Sequence, residues 1–378
     1  MAKVSRKKGK AQRRVKDWRQ QYAAGEEVED IASAPQKHSP RAIKLPSWRL
    51  ASYHVKLEDL PKAEGMVVGL FPGGVIVRGD RQDLLCGIAK TFRAPEGFSA
   101  LAVGDVVTVA MTGTAPAEGS DADKDRADGM ILSRRLRRTA LSRPQPRSGK
   151  HRDEYGAGFP EKVIAANMDV LLIVASTRQP TFRQNLIDRF LIIAERGELK
   201  PVLAVNKTDL AAPDEQVIAD CRALGLEVFP CSAVTGEGLP VLGAALAGKA
   251  SVLAGPSGTG KSTLINALVP GARAVTRGIR MRDERGRHTT SAAAVYNLPQ
   301  GGILVDTPGV RELGMGMKAA ELPWYYPEFE PLAGQCKFRD CTHTHEPDCA
   351  VVAAVQAGGL PPRRYQSYLR ILQTLEGA

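Results

Sequence analysis

The chain contains no apolar run approaching the ~18 residues that a membrane-spanning helix needs, so no membrane span is expected. No apolar segment follows its basic N-terminus, which argues against a secretory signal, and a cytoplasmic protein is the expectation. Acidic residues are scarce in the first twenty positions, where Asp17 alone stands against nine Lys or Arg. These positions carry +8 of the net charge of +11 and leave +3 for the other 358 residues. Such a block stays solvated by itself and attracts phosphate backbones, which favours nucleic acid as a partner. Arg363, Arg364 and Arg370 near the other end lean the same way. Cysteine is sparse too, with six in the chain. Cys86, Cys221 and Cys231 fall singly in apolar surroundings and read as buried, inert thiols. The other three cluster with histidines, which in a cytosolic chain suggests a metal rather than a disulfide.

What is present is ordinary globular material. With 378 residues, 43% apolar and 25% charged, the chain has enough for a substantial core and two or three domains. Residues 1–62 mix charge, Pro and Ser without periodicity and are expected to be a basic, mostly disordered extension. Short β-rich runs then follow: Met66 to Leu70, Val75 to Arg78, Leu84 to Ala89, Val106 to Met111 and Met130 to Leu136. Five of these separated by Gly-rich turns suit a small barrel of the OB-fold kind over 63–141. An Asp- and Gly-rich insertion is expected at 115–129, and a linker at 142–160. From 161 to 317 the texture alternates between buried strands, such as Val170 to Ala175 and Val202 to Val205, and helical spacing, as in Leu186 to Arg196. This predicts a doubly wound α/β domain with its ligand at the C-terminal ends of the strands. Residues 318–378 are expected to form a loop-rich, metal-dependent segment closed by an amphipathic helix from Arg363 to Leu375. The fold class is thus a multidomain chain with a β-barrel, a central α/β P-loop domain and a C-terminal zinc-binding segment.

The central domain carries nucleotide chemistry. Gly255-Pro256-Ser257-Gly258-Thr259-Gly260-Lys261-Ser262 follows an apolar strand and opens a helix, the setting in which a phosphate loop works. Its glycines let backbone amides close around phosphates, Lys261 reaches the β and γ oxygens, and the Ser262 hydroxyl is placed for Mg²⁺. Asp306-Thr307-Pro308-Gly309 ends another strand; Asp306 is placed to hold Mg²⁺ through water, and the Gly309 amide to meet the γ-phosphate. Asn206-Lys207-Thr208-Asp209 ends a third strand. The Asp209 carboxylate can accept from guanine N1 and N2, a donor pair that adenine lacks. Lys207 can lie along the base plane, Asn206 can tie this loop to the phosphate loop, and the amides at Ser232-Ala233 can approach guanine O6. Thr289 or Thr290, in the flexible segment between the phosphate loop and Asp306, would complete Mg²⁺ coordination. Val310 stands where many GTPases keep a water-orienting Gln, so slow intrinsic hydrolysis is expected until a partner completes the site. His288 is the nearest candidate for the missing role.

Cys336, Cys341 and Cys349 with His343 offer four ligands, the set of a closed tetrahedral Zn²⁺ site, and His345 competes with His343 for the fourth position. The base-reading motif precedes the phosphate loop, the reverse of the ordinary order. Residues after Gly309, normally a mobile switch, here lead into the zinc segment, so the nucleotide state is expected to move that segment relative to the core.

These elements in this order resemble the ribosome-small-subunit-dependent GTPase A family, the RsgA/YjeQ-type circularly permuted GTPases. The resemblance spans about residues 65 to 375, including Gly255 to Thr263 and Gly286 to Thr290, and favours His343 over His345. It implies a GTP hydrolase that binds the small (30S) ribosomal subunit and its rRNA late in maturation, hydrolyses GTP on contact, and carries one structural Zn²⁺ besides the Mg²⁺ that accompanies GTP. A monomer without a membrane partner is expected. The competing readings are a permuted GTPase acting on the large subunit or another RNA, and an RNA-binding module with a vestigial nucleotide site. The barrel with the zinc site weighs against the first, and the intact Lys261, Ser262 and Asp306 against the second.

Overall fold

A computed structural model describes residues 57–71, 74–92, 101–112, 127–144, 161–182, 184–272, 293–307, 315 and 317–376. Strands β1 (Lys62–Phe71), β2 (Gly74–Arg78), β3 (Asp83–Ile88), β4 (Val106–Met111) and β5 (Gly129–Arg134) close into a barrel of order β1-β2-β3-β5-β4. Every pairing is antiparallel except β3 with β5. Alternate residues point inward, so Val67, Val75, Val77, Cys86, Val107, Val109 and Ile131 fill the interior with Phe92 and Leu101. This is the five-stranded architecture of an OB-fold.

The arginines that end the last barrel strand are largely engaged within the molecule. Asp105, fully buried, accepts 2.8 Å bonds from both Arg137 Nε and Nη2 and a 2.7 Å bond from the Ala102 amide. Arg135 pairs with Glu64, and Arg138 reaches Asp169 at 2.8 Å. The first residues of the expected linker are strand instead, and 145–160 lie outside the described residues. Ser142 to Pro144 lie in β6 (Ala140–Pro144), which pairs antiparallel with β7 (Glu161–Ala166). This hairpin joins barrel to core through the Val103–Ala165 bridge and the Asn167 side chain, which donates to the Gly104 carbonyl.

The central sheet contains β8 (Val170–Ser176), β9 (Lys200–Asn206), β10 (Glu227–Pro230), β11 (Ala250–Ala254), β12 (Ala294–Asn297) and β13 (Ile303–Asp306). Its order is β10-β9-β8-β11-β13-β12, parallel throughout except for β12, which pairs antiparallel with β13. All seven residues of β8 are buried, the pattern of a central strand covered on both faces. Leu171, Ile173 and Ala175 face one layer with Ile187 and Phe190 of α1 (Gln184–Arg196) and Ile218 of α2 (Glu215–Ala223). Val170, Leu172 and Val174 face the other, with Leu242 and Leu246 of α3 (Leu239–Leu246) and Leu264, Ile265 and Leu268 of α4 (Lys261–Leu268). Burying each such aliphatic side chain contributes roughly 1.5–3 kcal/mol. The parallel order brings the residues following β8, β9, β10, β11 and β13 to one edge of the sheet, although they are far apart in the chain.

Beyond residue 317 the chain forms 3-10 turns at Ala319–Tyr325 and Pro327–Phe329 and three helices, α5 (Glu330–Ala333), α6 (Ala350–Gln356) and α7 (Pro362–Glu376). Tyr326, Phe329, Val351, Tyr368, Ile371 and Leu372 enter the same apolar cluster as α1 and β8. Arg364 does not serve an external phosphate. It is 6% exposed, pairs with Asp188 of α1 and with Glu328, and lies 4.1 Å over the Tyr326 ring. This shared core alters the expected switch. A swing of the whole C-terminal segment would expose these aromatics and leave buried Asp188 without its cation, which is costly.

Candidate nucleotide site and metal cluster

At the C-terminal edge of the sheet three loops are tied together by one side chain. Asn206, the last residue of β9 and 2% exposed, donates from Nδ2 to the Thr259 carbonyl at 2.9 Å. Its Oδ1 accepts the Ala233 amide at 3.0 Å. The base-reading loop, the phosphate loop and the loop after β10 are thereby joined at a residue whose two amide ends are both used. Ser232, fully buried, donates its hydroxyl to Asp209 Oδ1 at 2.6 Å and accepts the Val234 and Thr235 amides. The Asp209 carboxylate is thus held in place at the end of its loop.

The phosphate loop is shaped by close approach. Gly255 has φ 138°, and a Cβ there would lie 2.3 Å from the Val174 carbonyl oxygen. Gly260, the residue before α4, has φ 87°, and a Cβ would lie 2.5 Å from Asn206 Nδ2. Gly260→Ala should therefore push the Asn206 amide off Thr259 and lower GDP affinity roughly tenfold, the worth of about one good hydrogen bond. Equilibrium binding of a fluorescent GDP checks this, and unchanged affinity would refute the clamp. Thr259 donates its hydroxyl to the Pro256 carbonyl, and Lys261 donates from Nζ to the carbonyls of Gly255 at 2.8 Å and Pro256 at 2.6 Å. Ser257 and Gly258 are exposed, as are Ser262 and Thr263 in the first turn of α4, where the helix dipole favours an anion. Asp306 ends β13 beside β11, with Thr307 buried behind it. His288, Thr289, Thr290, Gly309 and Val310 lie outside the described residues.

One element of this edge is not carried by any of the motifs. Thr177, Gln179 and Pro180, just past β8, contact both the base-reading loop and the phosphate loop. The available signal was positional, because they follow the most completely buried strand.

The C-terminal cluster brings together the residues its spacing suggested. One ligand atom from each of Cys336, Cys341, His343 and Cys349 lies within 4.8 Å of all the others. Cys336 Sγ lies 3.9 Å from Cys349 Sγ, and His343 Nδ1 lies 3.6 Å and 3.5 Å from those two sulfurs. A tetrahedron with about 2.3 Å metal–sulfur and 2.0 Å metal–nitrogen bonds has edges of about 3.8 and 3.5 Å, so the donors fit a metal ion. His345 is exposed and bonded to the Thr344 hydroxyl, outside the cluster. Burial pushes the His343 imidazole down, against the opposing pull of Glu346, which favours the neutral form a ligand needs. Burial first, then the neighbouring thiols of Cys349 and Cys336, push the Cys341 thiol up to about 12. A thiolate at Cys341 is therefore favoured only with a cation beside it to share its charge.

Supporting bonds hold this loop from two sides. The Glu346 carboxylate accepts the Thr342 hydroxyl and the amides of Thr342, Thr344 and His345. Burial opposes its ionisation, but these donors hold its carboxyl well below the usual range. From α7, Tyr365 and Tyr368 donate to the carbonyls of His343 at 2.8 Å and Thr342 at 2.6 Å. Sequence reasoning missed all three, because each bonds backbone groups or a neighbouring hydroxyl rather than the ligand atoms themselves.

A doubly wound sheet whose phosphate loop and guanine loop share one edge in inverted chain order, with a barrel before it and a Cys₃His cluster after it, is a circularly permuted P-loop GTPase. A family model described as RsgA GTPase matches residues 136–316. A Gemmatimonas aurantiaca protein named small ribosomal subunit biogenesis GTPase RsgA is 39% identical over 285 residues, covering 74% of this chain and 86% of its own length. A Shewanella oneidensis protein of the same name is 35% identical, covering 84% of each chain. The crystal structure of YjeQ from Thermotoga maritima superposes with a TM-score of 0.60 at 30% identity, over 84% of this chain and all of that one. The structure titled YloQ, a circularly permuted GTPase, gives 0.57 at 24% identity, over 84% and 96% of the two chains, and supports the fold. The chain belongs to the RsgA GTPase family and is a GTP hydrolase.

Proposed function

We propose that this GTPase is a late maturation factor of the small ribosomal subunit, binding that subunit and its rRNA and hydrolysing GTP on contact. The observation carrying most of the weight is architectural. The chain spans 86% of a relative whose name is small ribosomal subunit biogenesis GTPase, and it joins an OB-fold barrel and a Cys₃His segment to an intact nucleotide edge. OB-folds offer a basic, strand-lined face to nucleic acid. Among the described residues no helix is long and apolar enough to cross a membrane. The proposal takes the chain as a cytoplasmic monomer working on ribosomal particles.

Within the site, Asn206, Lys207, Asp209, Ser232 and Ala233 hold guanine. The amides of residues 255–263 hold the phosphates, and Lys261 neutralises the β and γ oxygens. Ser262, Asp306 and Thr289 or Thr290 are the residues that would hold the nucleotide's Mg²⁺, directly or through water. That ion screens phosphate charge. Cys336, Cys341, His343 and Cys349 would hold Zn²⁺, which supplies folding energy rather than chemistry. His288 orients the attacking water when the subunit is bound, and the Gly309 amide meets the γ-phosphate.

GTP turnover measured with purified small subunits, with large subunits and with neither tests the proposal. Stimulation is expected with small subunits alone, and His288→Ala should lower the stimulated rate by roughly a hundredfold, the usual worth of a positioned base. Stimulation by large subunits, or by neither, would overturn the assignment of partner. An untouched stimulated rate in the variant would remove His288 from the chemistry.

A further inference from the structure

We infer that Thr177 is a positioning residue for guanine recognition, holding the first half of the base-reading loop as Ser232 holds the second. The inference rests on the proposed reading of residues 206–209 as the guanine site. Thr177 directly follows β8, and its amide donates to the Asn206 carbonyl at 3.1 Å while its hydroxyl donates to the Lys207 carbonyl at 2.7 Å. Between these bonds the chain turns at Lys207, whose φ of 68° lies in the left-handed region that a β-carbon disfavours. Such a conformation persists only where neighbours over-determine it, and Thr177 supplies two of the restraints.

The rest of the loop adds a third restraint and a link to the phosphates. Lys207 Nζ donates to the Gln179 carbonyl, so the side chain placed along the base plane is anchored by the same segment. The Ser176 hydroxyl closes the segment by donating to the Pro180 carbonyl at 2.7 Å. Pro180 Cδ and the Gln179 carbonyl lie 3.4 and 3.7 Å from where a Cβ on Gly258 would sit, so the segment also rests on the phosphate loop. At the far end of the base-reading loop, the Thr208 amide donates to the Cys231 carbonyl and Ser232 holds Asp209. The loop is therefore pinned at both ends, and release of the Thr177 end lets Lys207 relax and shift the Asp209 carboxylate.

The test compares GDP with IDP, which keeps the phosphates and the purine but lacks the 2-amino group that Asp209 would bind. Wild-type protein should prefer GDP. Thr177→Val, nearly isosteric but without the hydroxyl, should weaken GDP about tenfold and bring the GDP-to-IDP ratio close to one. Thr177→Ser should restore both, and thermal melting of each variant reports folding separately. A wild-type preference kept intact in Thr177→Val overturns the inference alone, as does a preference lost equally in Thr177→Ser. A wild-type chain that does not distinguish GDP from IDP overturns the guanine-site reading together with the inference.

Discussion

Chelation of divalent metal should lower the melting temperature by on the order of 10 °C, with recovery when Zn²⁺ is restored. A structural zinc ion binds folded ligands far better than unfolded ones, and a net several kcal/mol spread over a core of this size corresponds to about 2–4 °C per kcal/mol. The effect should extend beyond the metal loop. Tyr365 and Tyr368 bond the backbone at His343 and Thr342, and Tyr368 packs with Tyr326 and Phe329 into the cluster that includes α1. Loss of the ion leaves three thiols and an imidazole crowded within 4.8 Å and loosens the aromatic layer on which α7 sits. Cys336→Ser should reproduce most of the shift without a chelator. An unchanged melting temperature, together with purified protein lacking stoichiometric zinc by elemental analysis, would dismiss the site.

Lys261→Ala should reduce GTP turnover by about a thousandfold, as removal of a single preorganised charge-stabilising donor commonly does. Lys261 is 8% exposed and its ammonium is already held by the Gly255 and Pro256 carbonyls, so little ordering remains when phosphates arrive. Lys261→Arg should not rescue, because a planar guanidinium cannot enter a pocket shaped around a compact ammonium. The measurement is single-turnover hydrolysis with saturating small subunits, alongside GDP affinity to separate chemistry from binding. Turnover within tenfold of wild type would show that the charge acts elsewhere.

Much of this site was legible because its chemistry is local. A phosphate loop needs glycines, a lysine and a hydroxyl at fixed offsets, and a tetrahedral cluster needs four ligands within one bend. The cluster ligands also separated cleanly. His343 turns its Nδ1 to the sulfurs, whereas His345, two residues on, points to the Thr344 hydroxyl. What the sequence hid was the support. Ser142 to Pro144 looked like linker because Pro and Arg mark loops, yet pairing with β7 makes them strand. Arg364 looked like a phosphate ligand because arginines near a terminus usually face solvent, and instead it neutralises Asp188 from a helix distant in the chain.

The order of the motifs, by itself, determined that the GTPase core is permuted and which residue types meet base, phosphate and metal. Only the tertiary structure decided how those motifs act together. The parallel sheet sets β8 between β9 and β11, so Asn206 spans to Thr259 and Thr177 to Lys207 across gaps that no local pattern encodes. It also merged the C-terminal segment with α1 into one core. Periodicity shows that a helix face is apolar; which other face covers it is settled only when the chain closes on itself.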